Sequence, residues 1–197
     1  VKPNVHEKRV TDNRFDRSKP LSESEVWASR PLHHAADRGH AETVKILLAA
    51  GAKPDRKDGR GAQALHYAAA LGYGPPGDYR RKRPPAGKGN LKANHDRDVK
   101  AYLRIMEMLV RAKADIEAPV AYRWSNRKHY TAFGVCAQVG NLEGIKLLLK
   151  LKPGIKHDSR LLDEGVSSAA GSGRLDVLRL CLELGGESRN MKLSDAF

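Results

Sequence analysis

The sequence predicts an all-α repeat fold, a solenoid of stacked helix-turn-helix units with projecting finger loops. Three observations carry this. The phrase R-P-L-H-H-A-A-D-R-G-H at 30–40 returns as Q-A-L-H-Y-A-A-A-L-G-Y at 63–73, T-A-F-G-V-C-A-Q-V-G-N at 131–141 and E-G-V-S-S-A-A-G-S-G-R at 164–174. Gly39, Gly72, Gly140 and Gly173 are separated by 33, 68 and 33 residues, a period that belongs to stacked supersecondary units. After each phrase comes a run with apolar residues at helical spacing, such as Val44, Leu47 and Leu48, which marks the buried face of a second helix.

In order along the chain, residues 1–28 carry six basic and five acidic side chains with little apolar periodicity. They are predicted to form an extended arm in which Val26 and Trp27 cover the first unit, because an end unit lacks a neighbour; a tail that docks on a partner is the alternative. Unit one is 29–61. Pro31 opens its first helix and Gly39 ends it. Unit two is 62–118. Its second helix, the run I-M-E-M-L-V-R-A-K-A-D at 105–115, is displaced by an insertion of 29 residues. Apolar spacing through Val99, Leu103, Met106 and Val110 starts that helix near Asp98, with Asp96 or Asp98 as its cap. Units three and four are 130–162 and 163–190, and 191–197 is a tail. Six extra residues precede unit three.

These units resemble ankyrin repeats, four of them across roughly residues 26–190. Copies one and two match best; copies three and four keep A-A-x-x-G and the leucine run but lose the T-P-L-H turn. The resemblance implies L-shaped units whose loops project as hairpin-like fingers. It also implies that fingers and first helices form a concave face that binds a protein. His33 and His66 then hydrogen-bond the turn backbone. Lys113 and Lys152 replace the glycine after the second helix, so the loops there are expected to be less regular.

Composition narrows function further. The chain has 197 residues and a net charge of +13, which favours an acidic partner. Two cysteines, Cys136 and Cys181, allow no disulfide framework and suit an intracellular protein, cytoplasmic in the first reading, mitochondrial matrix or nucleus in the others. The first residue is Val1, which reads as a processed or trimmed product. Both cysteines fall in apolar helical phrases and read as core. His33, His34 and His40 are close in sequence, but His66 repeats His33 at the repeat spacing, which argues against a ligand set, and no metal is expected. No nucleophile-base pair or phosphate loop is recognisable; the chain is read as non-enzymatic, without catalytic residues, cofactor or small-molecule substrate, and without a membrane partner.

Two segments depart from the repeat. Residues 75–97 hold seven Lys or Arg against two Asp in a Pro- and Gly-rich context that excludes regular helix. Tyr79, Arg80, Arg81, Lys82, Arg83, Lys88 and Lys92 are its candidates for an anionic partner or nucleic acid. The finger at 119–130 interleaves Arg123, Arg127 and Lys128 with Tyr122, Trp124 and Tyr130, a mixture suited to an interface hot spot or to base stacking. On the concave face, His34, Arg38, Tyr67, Leu71 and Gln138 are the candidates. A protein partner with an acidic surface is the leading expectation. A structural subunit contacting RNA in a ribonucleoprotein is the second, and an inhibitor or immunity-type protein covering an enzyme the third.

Overall fold

Pro31 stands at the start of the first helix, where its missing N–H removes no internal bond. That helix, α1, spans Pro31–Asp37. Gly39 then turns left-handed at φ +75°, and α2 follows at Ala41–Ala49. The computed structural model describes residues 31–58, 61–73, 99–121 and 129–186. Within them three more helix pairs follow: α3 (Ala64–Ala69) with α4 (Val99–Arg111), α5 (Ala132–Val139) with α6 (Leu142–Leu151), and α7 (Ser159–Gly171) with α8 (Leu175–Glu183). The first helices α1, α3, α5 and α7 pack on one another in that order, and α2, α4 and α6 form a second layer behind them.

One core runs through all four pairs. Leu65, Ile105, Leu109, Phe133, Ile145, Leu148 and Leu161 are fully buried in it, each contributing roughly 1.5–3 kcal/mol relative to exposure. Ala36, Ala68, Ala69, Ala137 and Ala169 fill the seams between first helices, where larger side chains would hold the backbones apart.

The residues that flank the inserted segment form a separate small cluster. Leu71 and Gly72 both take left-handed backbone, at φ +51° and +68°, and Leu71 packs with Tyr73, Tyr102 and Val99. The early start of α4 supplies two of these residues. Its first described residue, Val99, agrees with the apolar spacing; Asp96 and Asp98 lie outside the described residues. Tyr102 also reaches unit one: its hydroxyl donates to the Asp37 carbonyl at 3.1 Å, and its ring sits against Gly39 so closely that a Cβ there would lie 3.1 Å from it.

The loops differ from unit to unit. Asp58 closes the first finger, its N–H donating to the Ala62 carbonyl and its carboxylate accepting from the Ala62 N–H, both at 2.8 Å. The second finger is based on an antiparallel pair, β1 (Val120–Ala121) with β2 (His129–Tyr130), in the register Val120↔Tyr130. A 3-10 turn, Pro153–His157, links α6 to α7. Lys113 corrects one expectation: at φ +69° it keeps the left-handed turn of Gly51 (+85°) and Gly185 (+90°), so its loop stays regular. Lys152, at φ −134° before Pro153, does abandon that turn.

The boundary placed at residue 163 falls inside α7. Unit four has no T-P-L-H turn to start a helix at the repeat phase. The Asp158 side chain instead accepts from the Leu161 N–H at 3.2 Å and starts the helix about one turn earlier.

Candidate interaction surface

The first helices α1, α3 and α5 are each tied at the N-terminal turn to the chain that follows by a polar bond. Nε2 of His33 lies 3.0 Å from the Ala62 carbonyl, and Nε2 of His66 lies 2.9 Å from that of Ala118. Nδ1 of His66 accepts from the Gln63 N–H at 3.1 Å. With Nδ1 accepting, the neutral ring carries its proton on Nε2 and donates forward to the Ala118 carbonyl at the end of unit two. Burial holds its pKa down at about 4, against the ordinary 6.5.

The third junction reverses this polarity. The position equivalent to His33 and His66 is Gly134, and a carboxylate from the next unit fills its place. Glu164, on α7, accepts from the Thr131 N–H at 2.7 Å and from the Thr131 hydroxyl at 2.9 Å. Thr131 in turn caps α5, its hydroxyl oxygen accepting from the Gly134 N–H at 3.3 Å. Burial raises the Glu164 pKa to about 7; its hydrogen bonds from Thr131 act the other way.

A fourth bond crosses between units two and three. Asn141 is wholly buried. Its side-chain oxygen accepts from the Gly144 N–H at 2.9 Å, and its amide donates to the Ala69 carbonyl at 3.1 Å. On the outside of the second finger, the Glu117 carboxylate receives Lys152 and, at 2.9 Å, Arg160. The Lys152 ammonium, more than the guanidinium of Arg160, holds the Glu117 pKa below its usual value.

A family model described as ankyrin repeats (three copies) matches residues 10–75. The buried turn histidine recurs within it, and the helix pair and turn glycine recur there and beyond it. Residues 10–75 carry ankyrin repeats. The match extends upstream of α1 into the segment read as an arm. No curated protein matches the chain. Ankyrin repeats are in general protein-interaction modules, and the fold is the all-α repeat array that the spacing predicts. No helix among the described residues is long and apolar enough to cross a membrane.

The ankyrin array divides the candidate residues sharply. His34 on α1 and Arg38 in the turn after it are exposed, and Gln138 is half-buried on α5. Tyr67, Leu71 and Tyr130, expected on the partner-facing surface, are core side chains. The Tyr67 hydroxyl donates to Asp58 at 2.5 Å, and the ring meets His33 edge-on at 5.7 Å. The left-handed backbone of Leu71 belongs to the small cluster that flanks the insertion. Tyr130 is the last residue of β2 and packs into the main core. Tyr122, Arg123, Trp124, Arg127 and Lys128 lie outside the described residues, as do Tyr79, Arg80, Arg81, Lys82, Arg83, Lys88 and Lys92.

The histidine and cysteine readings also resolve. His33 and His66 serve the junctions, while His34 and His40 are exposed. Cys136 and Cys181 are buried free thiols; burial pushes both upward, Cys181 to about 11, which leaves them protonated and unreactive near neutral pH.

Three junction residues escaped the sequence reading: Glu164, Asn141 and Tyr102. The repeat register held a signal for the first, since Glu164 aligns with Thr131 and faces a unit whose histidine is replaced by Gly134.

Proposed function

We propose that the protein is a non-enzymatic ankyrin-repeat binding module that recognises an acidic-surfaced macromolecular partner, a protein in the first place, through its enlarged finger and basic insertion. The supporting observation is where the charge lies. The described residues hold 16 Lys and Arg against 13 Asp and Glu, whereas the whole chain holds 36 against 23. The stacked helices are close to balance. Most of the excess sits in residues 75–97 and 122–128, which are extra to the repeat and whose composition stacking does not dictate. A neutral rigid array carrying concentrated positive charge suits electrostatic steering toward a negative surface.

The groove beside the insertion fits this reading. It lies between the start of α2 and the start of α4, has a volume of about 490 Å³, and is lined by His40, Thr43, Lys100 and Arg104 among others. Arg104 pairs there with Glu42 at 2.9 Å. His34 on α1 and Arg38 in the turn after it extend the exposed polar surface.

Affinity capture with the full chain, followed by identification of the bound protein and RNA, tests the reading. Replacing Arg80, Arg81, Lys82 and Arg83 together with Gln leaves the thermal midpoint unchanged and weakens capture. Trp124→Ala weakens it by about 2 kcal/mol or more if that side chain is a hot spot. An affinity that falls steeply and linearly with log salt, together with recovered RNA, would favour a phosphate-bound ribonucleoprotein role over a protein partner. Capture unchanged by all five substitutions refutes the role given to both loops.

A further inference from the structure

We propose that Glu164 makes the junction between units three and four proton-sensitive, so that the C-terminal helix pair docks tightly with the carboxyl protonated and loosens when it carries charge. The geometry is specific to this junction. The carboxyl enters a site that a histidine occupies in units one and two and that Gly134 leaves empty of side chain. A Cβ at Gly134 would lie 1.8 Å from Oε1. Its two partners, the Thr131 N–H and hydroxyl, satisfy it in either state. A neutral carboxyl accepts the N–H through its carbonyl oxygen and shares its own proton with the hydroxyl. The charged form gains stronger acceptance but gives up part of its hydration in this half-buried interface.

The surroundings do not compensate that charge. α5, which carries Thr131, has no Asp, Glu, Lys, Arg or His. The packed α8 brings Asp176, Arg179, Glu183 and Cys181, and the 3-10 turn brings Lys156 and His157. His129 and Tyr130 precede Thr131 on β2. On α7 itself stand Asp158, Arg160 and Asp163. Arg160 favours the charged carboxyl and Asp158 opposes it, and the Arg160 guanidinium is engaged with Glu117 at 2.9 Å. Burial therefore wins, and the group titrates close to neutrality.

The sign follows from the folded value lying above the unfolded one. The contribution of Glu164 to docking is complete below about pH 4.5 and is lost as pH rises through about 7. Loss of docking opens the end pair alone, because in a repeat array each unit contacts only its neighbours.

The test uses the full chain and two readouts. Carbon-13 titration of the Glu164 carboxyl should give a midpoint near 7. Amide protection in α7 and α8, corrected for intrinsic exchange and compared with α4, should fall about thirty-fold between about pH 5.5 and about pH 8.5. Glu164→Gln keeps both hydrogen bonds and should remove that fall. A midpoint in the ordinary range near 4.5, or an equal fall in Glu164→Gln, overturns the proposal.

Discussion

The Glu164 carboxylate occupies the volume that any side chain at position 134 would need, and Gly134 is the residue that makes the third junction possible. Gly134→Ala sets two effects against each other. Alanine in a helix interior is worth up to about 1 kcal/mol over glycine. The added methyl, however, displaces Oε1 and leaves the Thr131 N–H without its acceptor, at about 1–3 kcal/mol. The expected outcome in chemical denaturation is a net loss of about 1–2 kcal/mol. Gly171→Ala, where an added Cβ meets nothing within 4 Å, should be neutral or stabilising. A double-mutant cycle with Glu164→Ala should show the cost of Gly134→Ala shrinking; full additivity would refute the packing relationship.

His66 should impose the opposite pH response to Glu164. Its folded pKa is lowered to about 4 from 6.5. Its stabilising contribution is present above about pH 6.5 and is lost as pH falls toward about 4, a total near 3 kcal/mol. Protonating Nδ1 would also expel the Gln63 N–H from its acceptor. Over the same window Glu164 gains docking strength as pH falls, so the two slopes largely cancel in the intact chain. Glu164→Gln should therefore expose a steep acid destabilisation in denaturant titrations between about pH 7 and pH 4. His66→Gln should flatten the acid limb instead. A variant pair with identical pH profiles would contradict both assignments.

How much was legible in the sequence depends on whether a requirement is local. Pro31 at a helix start, Gly39 and Gly140 at left-handed turns, and the histidine at the turn are demands of a few bonds, and they survive as a spaced phrase. Side-chain destination is not local. Position 67 repeats position 34, yet His34 is exposed and Tyr67 is core, because Tyr67 meets both the His33 ring and the Asp58 carboxylate of the preceding unit. Leu71 was read as a surface position for the same reason. Its side chain packs with Tyr73 and Tyr102, a contact that the repeat register cannot express. The early start of α7 was readable in principle, since Asp158 precedes an apolar helical run, but the register pointed to residue 163 and masked that capping signal.

Asn141 is expected to be among the costliest single polar positions in the array. It caps α6 through Gly144 and donates to the Ala69 carbonyl of unit two, and that carbonyl's other side-chain contact is the weak Cys136 thiol donor at 3.8 Å. Asn141→Ala removes the cap, at about 1 kcal/mol, and leaves a buried acceptor poorly satisfied, at about 1–3 kcal/mol. Asn141→Asp separates the two effects. It keeps the cap but turns a carboxylate toward the Ala69 carbonyl, so it should be no better than alanine. If Asn141→Asp proves as stable as the parent in thermal unfolding, the inter-unit bond contributes nothing and only the cap matters.

Leu71 and Lys113 carry the same unfavourable backbone and should respond to glycine with opposite signs. Both are non-glycine residues at positive φ, +51° and +69°, a conformation that costs about 1 kcal/mol for a side chain with a Cβ. Lys113 is exposed, so relief of that strain dominates, and Lys113→Gly should stabilise by about 0.5–1 kcal/mol after the greater freedom of glycine in the unfolded chain is subtracted. Leu71 is buried against Tyr73 and Tyr102, so Leu71→Gly also removes a packed side chain worth about 2–5 kcal/mol. Burial outweighs strain there, and the variant should lose stability. The loss should fall on this cluster, with reduced amide protection at the start of α4 rather than at α6. Stabilisation by Leu71→Gly would mean that the packing of Leu71 with Tyr73 and Tyr102 contributes less than the backbone strain costs.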